Sequence, residues 1–135
     1  MKLLLDTCVF NEKTLLLTLK KQNSSKVELF VNSIIYLELG YIYFIRDKWI
    51  LFKKILNELK IKNENISKAI AERAIKAAVY FKDTEEGASY YFRHCLIGAT
   101  TELLNLILIT KNIHDFVWLP KEKYLTPDQL LKLLE

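Results

Sequence analysis

Two short apolar runs, one near each end of the chain, break off at polar or acidic residues. Leu3-Leu4-Leu5 stops at Asp6, and Leu106-Ile107-Leu108-Ile109 hands over to Thr110-Lys111-Asn112-Ile113-His114-Asp115-Phe116. Unbroken apolar character over so few residues is the pattern of a strand buried on both faces, and the second run is too short for a core helix. Open α/β sheets place their ligands at the carboxyl ends of such strands. A carboxylate closing the first run, and acidic and polar residues closing the second, predict one acidic pocket built from both ends of the sequence.

Between the two runs the pattern alternates between strand and helix. Lys2–Leu5 and residues 27–31 read as strands, and residues 15–21 as a helix that fades into the turn cluster Gln22-Asn23-Ser24-Ser25. Ser33 is the expected cap of a helix running through Ile34, Leu37, Tyr41 and Ile45. A further helix carries Trp49, Phe52, Ile55, Leu56 and Leu59, with a short extended piece expected at residues 59–61. Asn63 is the expected cap of the clearest amphipathic helix, whose stripe is Ile66, Ile70, Ala74, Ala77, Ala78 and Phe81. Residues 83–87 break it, and residues 90–104 are helical again. Thr126, Pro127 and Gln129 signal a final helix with a capping box. The alternation predicts an α/β fold, a central mainly parallel β-sheet flanked by α-helices, in a single domain over residues 1–135.

The net charge is +4, compatible with simple solubility or with attraction to a polyanion. An acidic pocket on a basic protein calls for a cation. Cys8 and Cys95 are the only thiols, form no C-x-x-C pair and cannot build a four-ligand zinc site without histidines. They read as buried small hydrophobes in a reducing, cytoplasmic setting. The first apolar run ends at Asp6, so no signal peptide is expected. No stretch approaches the ~18–20 apolar residues of a membrane span.

Four residues are candidates for chemistry: Asp6, Glu38, His94 and Asp115. Glu38 lies in an otherwise apolar segment, so it must be paired, protonated, bound to a cation or exposed at a helix edge. Asp115 also suits an ordinary turn, and Asp6 an ordinary helix cap. Each is weak alone.

In combination the pieces resemble the PIN domain, the fold of the VapC-type toxins of bacterial and archaeal toxin–antitoxin pairs. The matching segments are Leu3-Leu4-Leu5-Asp6-Thr7, Ser33-Ile34-Ile35-Tyr36-Leu37-Glu38-Leu39, Cys95-Leu96-Ile97-Gly98-Ala99, and residues 108–116. Each is short; their order and spacing over essentially the whole chain are specific. The resemblance implies a metal-dependent endoribonuclease in which carboxylates hold Mg²⁺ or Mn²⁺. By position it assigns Asp6, Glu38 and Asp115 as metal ligands, direct or through water, with Thr7, Thr110 and Asn112 in support. It also implies a homodimer and a small antitoxin partner that blocks the pocket. Tyr41, Tyr43, Phe44, Trp49 and Phe52 are the aromatic residues expected on those two surfaces.

The chain departs from the family at one place. An acid usually stands just before the Cys-Leu-Ile-Gly-Ala segment, and here the residue is His94, after Tyr91-Phe92-Arg93. Imidazole removes a negative charge and an oxygen ligand, and suits Mn²⁺, Zn²⁺ or Fe²⁺ better than Mg²⁺. Glu102 lies about 12 Å further along the helix and cannot replace the acid. Loss of most activity, activity with a softer metal, and a silencing substitution all remain open. The expectation taken forward is a VapC-like endoribonuclease weakened at His94. Its rivals are a catalytically inactive PIN-domain module that binds RNA or protein, and a nuclease acting on DNA. Arg93, Lys111, Lys121 and Lys123 are candidate phosphate contacts or plain surface charge. Tyr90, Tyr91 and Phe92 are candidates for base stacking or core packing. His114 reads as a surface imidazole.

Overall fold

β1 (Lys2–Leu5) is the middle strand of a five-stranded sheet. The structure, a computed structural model, describes every residue except Asn23 and Ser24, so that half of the expected turn cluster lies outside the described residues. The other strands are β2 (Glu28–Asn32), β3 (Lys62–Glu64), β4 (Ile107–Ile109) and β5 (Tyr124–Leu125). Their order is β3-β2-β1-β4-β5 and every pairing is parallel. The helices that flank the sheet are α1 (Lys13–Lys20), α2 (Ser33–Ile45), α3 (Trp49–Glu58), α4 (Lys68–Ala78), α5 (Phe92–Leu103) and α6 (Pro127–Leu134). Leu3, Leu4 and Leu5 are all fully buried, as consecutive residues of a strand can be only when both faces are covered.

The chain runs outward from β1 to β2 and β3, then returns to β4 on the other side of β1. The order therefore reverses between β1 and β4, and the carboxyl ends of these two strands frame the crevice in which such sheets take ligands. Leu5 is in register with Ile109, so Asp6 and Thr110 leave the sheet side by side.

Several local expectations need correction. The cap of α2 is Asn32, whose Oδ1 accepts from the Ile35 N–H at 3.0 Å; Ser33 is already helical. The cap of α4 is Ser67, while Asn63 lies in β3. The extended piece expected at residues 59–61 falls instead at Lys62–Glu64. Phe52 is a core residue with 1% exposure, enclosed by the rings of Tyr36, Tyr43 and Trp49, and is not available to a partner. The capping box at Thr126 and Gln129 is present as expected.

Three helices stop without glycine. At Asp47, Lys60 and Asn105 the backbone turns left-handed, with φ of 54°, 53° and 53°. After each, two amide bonds reach back to close the last turn; Lys60 N–H donates to Asn57 and Ile61 N–H to Leu56.

A second apolar cluster joins α4 to α5 through Ile70, Ala74, Ala77, Ala78, Phe81, Cys95 and Ala99. The Trp118 indole packs against both this cluster and the sheet core. It lies so close to α5 that a Cβ on Gly98 would sit 2.3 Å from its ring. Its other neighbour is the Arg73 guanidinium, 5.1 Å from the ring centre. The absence of a side chain at Gly98 thus sets how α5 sits, and α5 begins at the site described below. Gly98→Ala should cost about 1–3 kcal/mol through overpacking, read as a lower urea midpoint with unchanged slope.

Candidate active site at the carboxyl end of the sheet

Asp6 is only 1% exposed, yet both of its oxygens have partners. Its own N–H continues the sheet by donating to the Ile109 carbonyl at 3.0 Å. Oδ1 caps the turn of 3-10 helix at Thr7–Asn11 by accepting from the Thr7 N–H at 2.8 Å. Oδ2 accepts from the Thr110 hydroxyl at 2.7 Å, across the gap between β1 and β4. Thr110 in turn accepts from the Asn112 N–H at 3.0 Å. The Cys8 sulfur lies 3.8 Å from both Asp6 Oδ2 and the Thr110 hydroxyl, and burial pushes its thiol pKa up.

Glu38 reaches the same place from α2. Its Oε1 accepts from the Thr7 hydroxyl at 2.9 Å. Arg93, in the first turn of α5, then joins the two acids. Its Nη2 donates to Asp6 Oδ1 at 3.0 Å and to the Thr7 hydroxyl at 3.1 Å, and its Nε donates to Glu38 Oε2. Burial works against a charged guanidinium here. The hydrogen bond donated to Glu38 and the charge of Asp6 overcome it and hold the Arg93 pKa above its ordinary value.

His94, the next residue, serves the third acid. Its Nε2 lies 3.2 Å from Asp115 Oδ2. Burial lowers the His94 pKa despite the opposing pull of Asp115. The geometry explains why. Nδ1 is buried with no hydrogen-bond partner among the described residues, so a second ring proton would be an N–H without an acceptor. The neutral tautomer that donates from Nε2 to Asp115 leaves only a bare lone pair inside. The ring also meets Phe116 edge to face, with centroids 5.6 Å apart.

Asp6, Glu38 and Asp115 therefore gather around the first turn of α5, together with Thr7, Thr110, Arg93 and His94. Asn112 takes part through its backbone, while its side chain caps nothing. Arg93, a candidate phosphate contact from sequence, points into the carboxylate pair. Lys111 pairs with Glu12, and Lys123 donates to Asn105 at 2.6 Å. Tyr91 stacks on Phe81 with centroids 4.1 Å apart, whereas Tyr90 and Phe92 are exposed.

A hard divalent cation needs several oxygen lone pairs turned to one point. Here Asp6 and Glu38 both turn to one guanidinium and Asp115 to an imidazole. Among the described residues, no group of three His, Cys, Asp or Glu is arranged to hold a metal ion. In this arrangement the donor set does not fit Mg²⁺ or Mn²⁺, because a cation of the chain itself stands between the acids.

Sequence reasoning missed Asn32. It is fully buried, caps α2 through Oδ1 and donates from Nδ2 to the Thr100 hydroxyl at 3.1 Å. One amide thus ties the helix bearing Glu38 to the helix bearing Arg93 and His94. An Asn just ahead of Ser33 was the available signal, since both residues are good caps.

Two outcomes are expected. Asn32→Asp keeps the cap but replaces the donor facing Thr100, whose own proton goes to the Leu96 carbonyl at 2.8 Å. It should lower unfolding free energy by about 1–3 kcal/mol in urea titrations. His94 stays neutral in the folded chain at pH values where an unfolded imidazole, with its ordinary pKa of 6.5, already takes a proton. Its contribution to stability is therefore complete above that value and drains away as pH falls toward the lower folded pKa. The stability gap between wild type and His94→Gln should narrow as pH falls from neutral to about 5, measured by denaturation at each pH.

Similarity to other proteins is visible in three dimensions only. No family model and no curated protein matches the sequence. Among solved structures, the chain resembles VapBC-1 from nontypeable Haemophilus influenzae with a TM-score of 0.70 at 18% identity, covering 95% of this chain and 99% of that one. It also resembles a toxin–antitoxin complex from Klebsiella pneumoniae with a TM-score of 0.64 at 22% identity, covering 92% and 96%. Identities this low speak for the fold, and the parallel order β3-β2-β1-β4-β5 with acids at the reversal agrees. The fold of this chain is that of the VapC-type PIN domain.

Proposed function

We propose that this chain is a VapC-like toxin, the endoribonuclease half of a toxin–antitoxin pair, acting in the cytoplasm, with its divalent-metal-dependent hydrolysis of RNA weakened by its own site residues. One observation carries the reading: Asp6, Glu38 and Asp115, distant in sequence, meet at the carboxyl end of the sheet around one helix turn. The weakening follows from the same place. His94 stands where the resemblance expects an acid, and Arg93 engages two of the remaining three.

The partner side of the reading has its own support. Tyr41, Phe44, Ile45 and Ile50, on and after α2, are each more than half exposed. Apolar side chains collected in this way suit a homodimer face or a small antitoxin. No helix among the described residues is long and apolar enough to cross a membrane.

A second reading, a catalytically inactive PIN-domain module that binds RNA or a protein, draws on the Arg93 bridge. One assay separates the two. In the first reading, unstructured RNA is cut slowly by the wild type when Mn²⁺ or Mg²⁺ is supplied. His94→Asp then raises the rate about tenfold or more, a barrier change of about 1.4 kcal/mol or more. Equal cleavage by both forms without metal, or none by either with it, would reject the nuclease. Co-purification with the product of an adjacent short reading frame tests the antitoxin.

A further inference from the structure

The guanidinium of Arg93 occupies a position that belongs to neither substrate nor solvent. It is clamped in a fork between acids from two different elements, Asp6 after β1 and Glu38 in α2, and it takes the Thr7 hydroxyl between them. Among the described residues no other cation pairs with Asp6, and it has almost no contact with water. Each Asp6 oxygen already accepts a backbone or hydroxyl proton, so the orientation of the carboxylate is set independently of Arg93. Glu38 is likewise anchored by Thr7. Two acids are thus fixed by neutral donors, and one cationic side chain bridges them.

We propose that Arg93 is a built-in counter-ion of the site, and that its bridge and a divalent cation on Asp6 and Glu38 exclude one another. Two positive charges cannot share this pair at contact distance, and both need the same lone pairs on Asp6 Oδ1 and Glu38 Oε2. The fraction of molecules with Arg93 turned away then sets the apparent affinity for the ion. The site is latent as it stands. Removing the guanidinium converts it into a cation site, and any polyanion that draws Arg93 outward does the same reversibly. A phosphodiester of the RNA in the reading above is one such polyanion. Arg93 has 27% of its side chain exposed, so a ligand in solvent can reach it.

Calorimetric titration with Mn²⁺, in the absence of RNA, tests this on the whole chain. Arg93→Gln is expected to bind Mn²⁺ saturably and about tenfold or more tighter than wild type. Its thermal midpoint should lie below that of wild type without metal and rise further on adding it. Asp6→Asn in the Arg93→Gln background should abolish the binding. Equal affinities in wild type and variant, no binding in either, or binding that survives Asp6→Asn would each overturn the proposal. Arg93→Met covers the case in which Arg93→Gln does not fold. Methionine keeps an unbranched apolar stem but carries neither the charge nor a donor. It should bind Mn²⁺ more tightly than wild type, and an affinity no better than wild type overturns the proposal. The inference rests on the site reading above, but the two fail separately. Tighter Mn²⁺ binding without RNA cleavage in any form removes the nuclease and leaves the counter-ion. Metal-dependent cleavage with equal Mn²⁺ affinities does the reverse.

Discussion

A carboxylate almost sealed from water at the end of a central strand must be satisfied from inside the protein. Asp6 imposes that demand, and much of the surrounding structure answers it. Thr7 supplies a backbone N–H, Thr110 a hydroxyl and Arg93 a charge. Each comes from a different part of the chain, so satisfying one side chain pins β1, β4 and α5 to each other. Glu38 joins them through the Thr7 hydroxyl and the same arginine, and the Asn32–Thr100 bond ties together the two helices that carry Glu38 and Arg93.

The charge pattern at this end of the sheet is a substitution of one cation for another. A cluster of three acids on a basic chain, with a net charge of +4, invites a divalent ion. Two consecutive residues of α5 meet it instead. They do so differently: Arg93 stays charged and forks across two carboxylates, while His94 is kept neutral by burial and only donates a hydrogen bond to Asp115. The site is compensated in part and remains acidic in character.

Much of the sheet and its acids was legible because the signals are local. Three consecutive leucines ending in aspartate, and an apolar run ending in Thr110, name β1, β4 and their ends without help from the rest of the chain. The capping box at Thr126 and the α4 stripe are equally self-contained. What escaped depends on tertiary context. Asn32 and Ser33 are both competent caps, and only the Thr100 hydroxyl across the fold selects Asn32. The stops at Asp47, Lys60 and Asn105 carry no glycine to announce them. β5 is two residues long and exists because β4 offers it an edge. The direction of the Arg93 side chain follows from how α5 is seated, which Gly98 and Trp118 decide together.

The sheet order has a consequence for the birth of the protein. β1 is synthesised first, but one of its two neighbours is β4, and the Asp6–Thr110 bond spans 104 residues. Contacts of such long range form late, after the intervening chain is available to close the loop. A nascent polypeptide can pair β1 with β2 while still on the ribosome, yet Asp6 lacks its Thr110 partner until β4 has been made. The site thus cannot be completed in a fragment: a prematurely terminated product lacking β4 keeps Thr7 and Arg93 but carries Asp6 without the Ile109 carbonyl and the Thr110 hydroxyl that complete its setting.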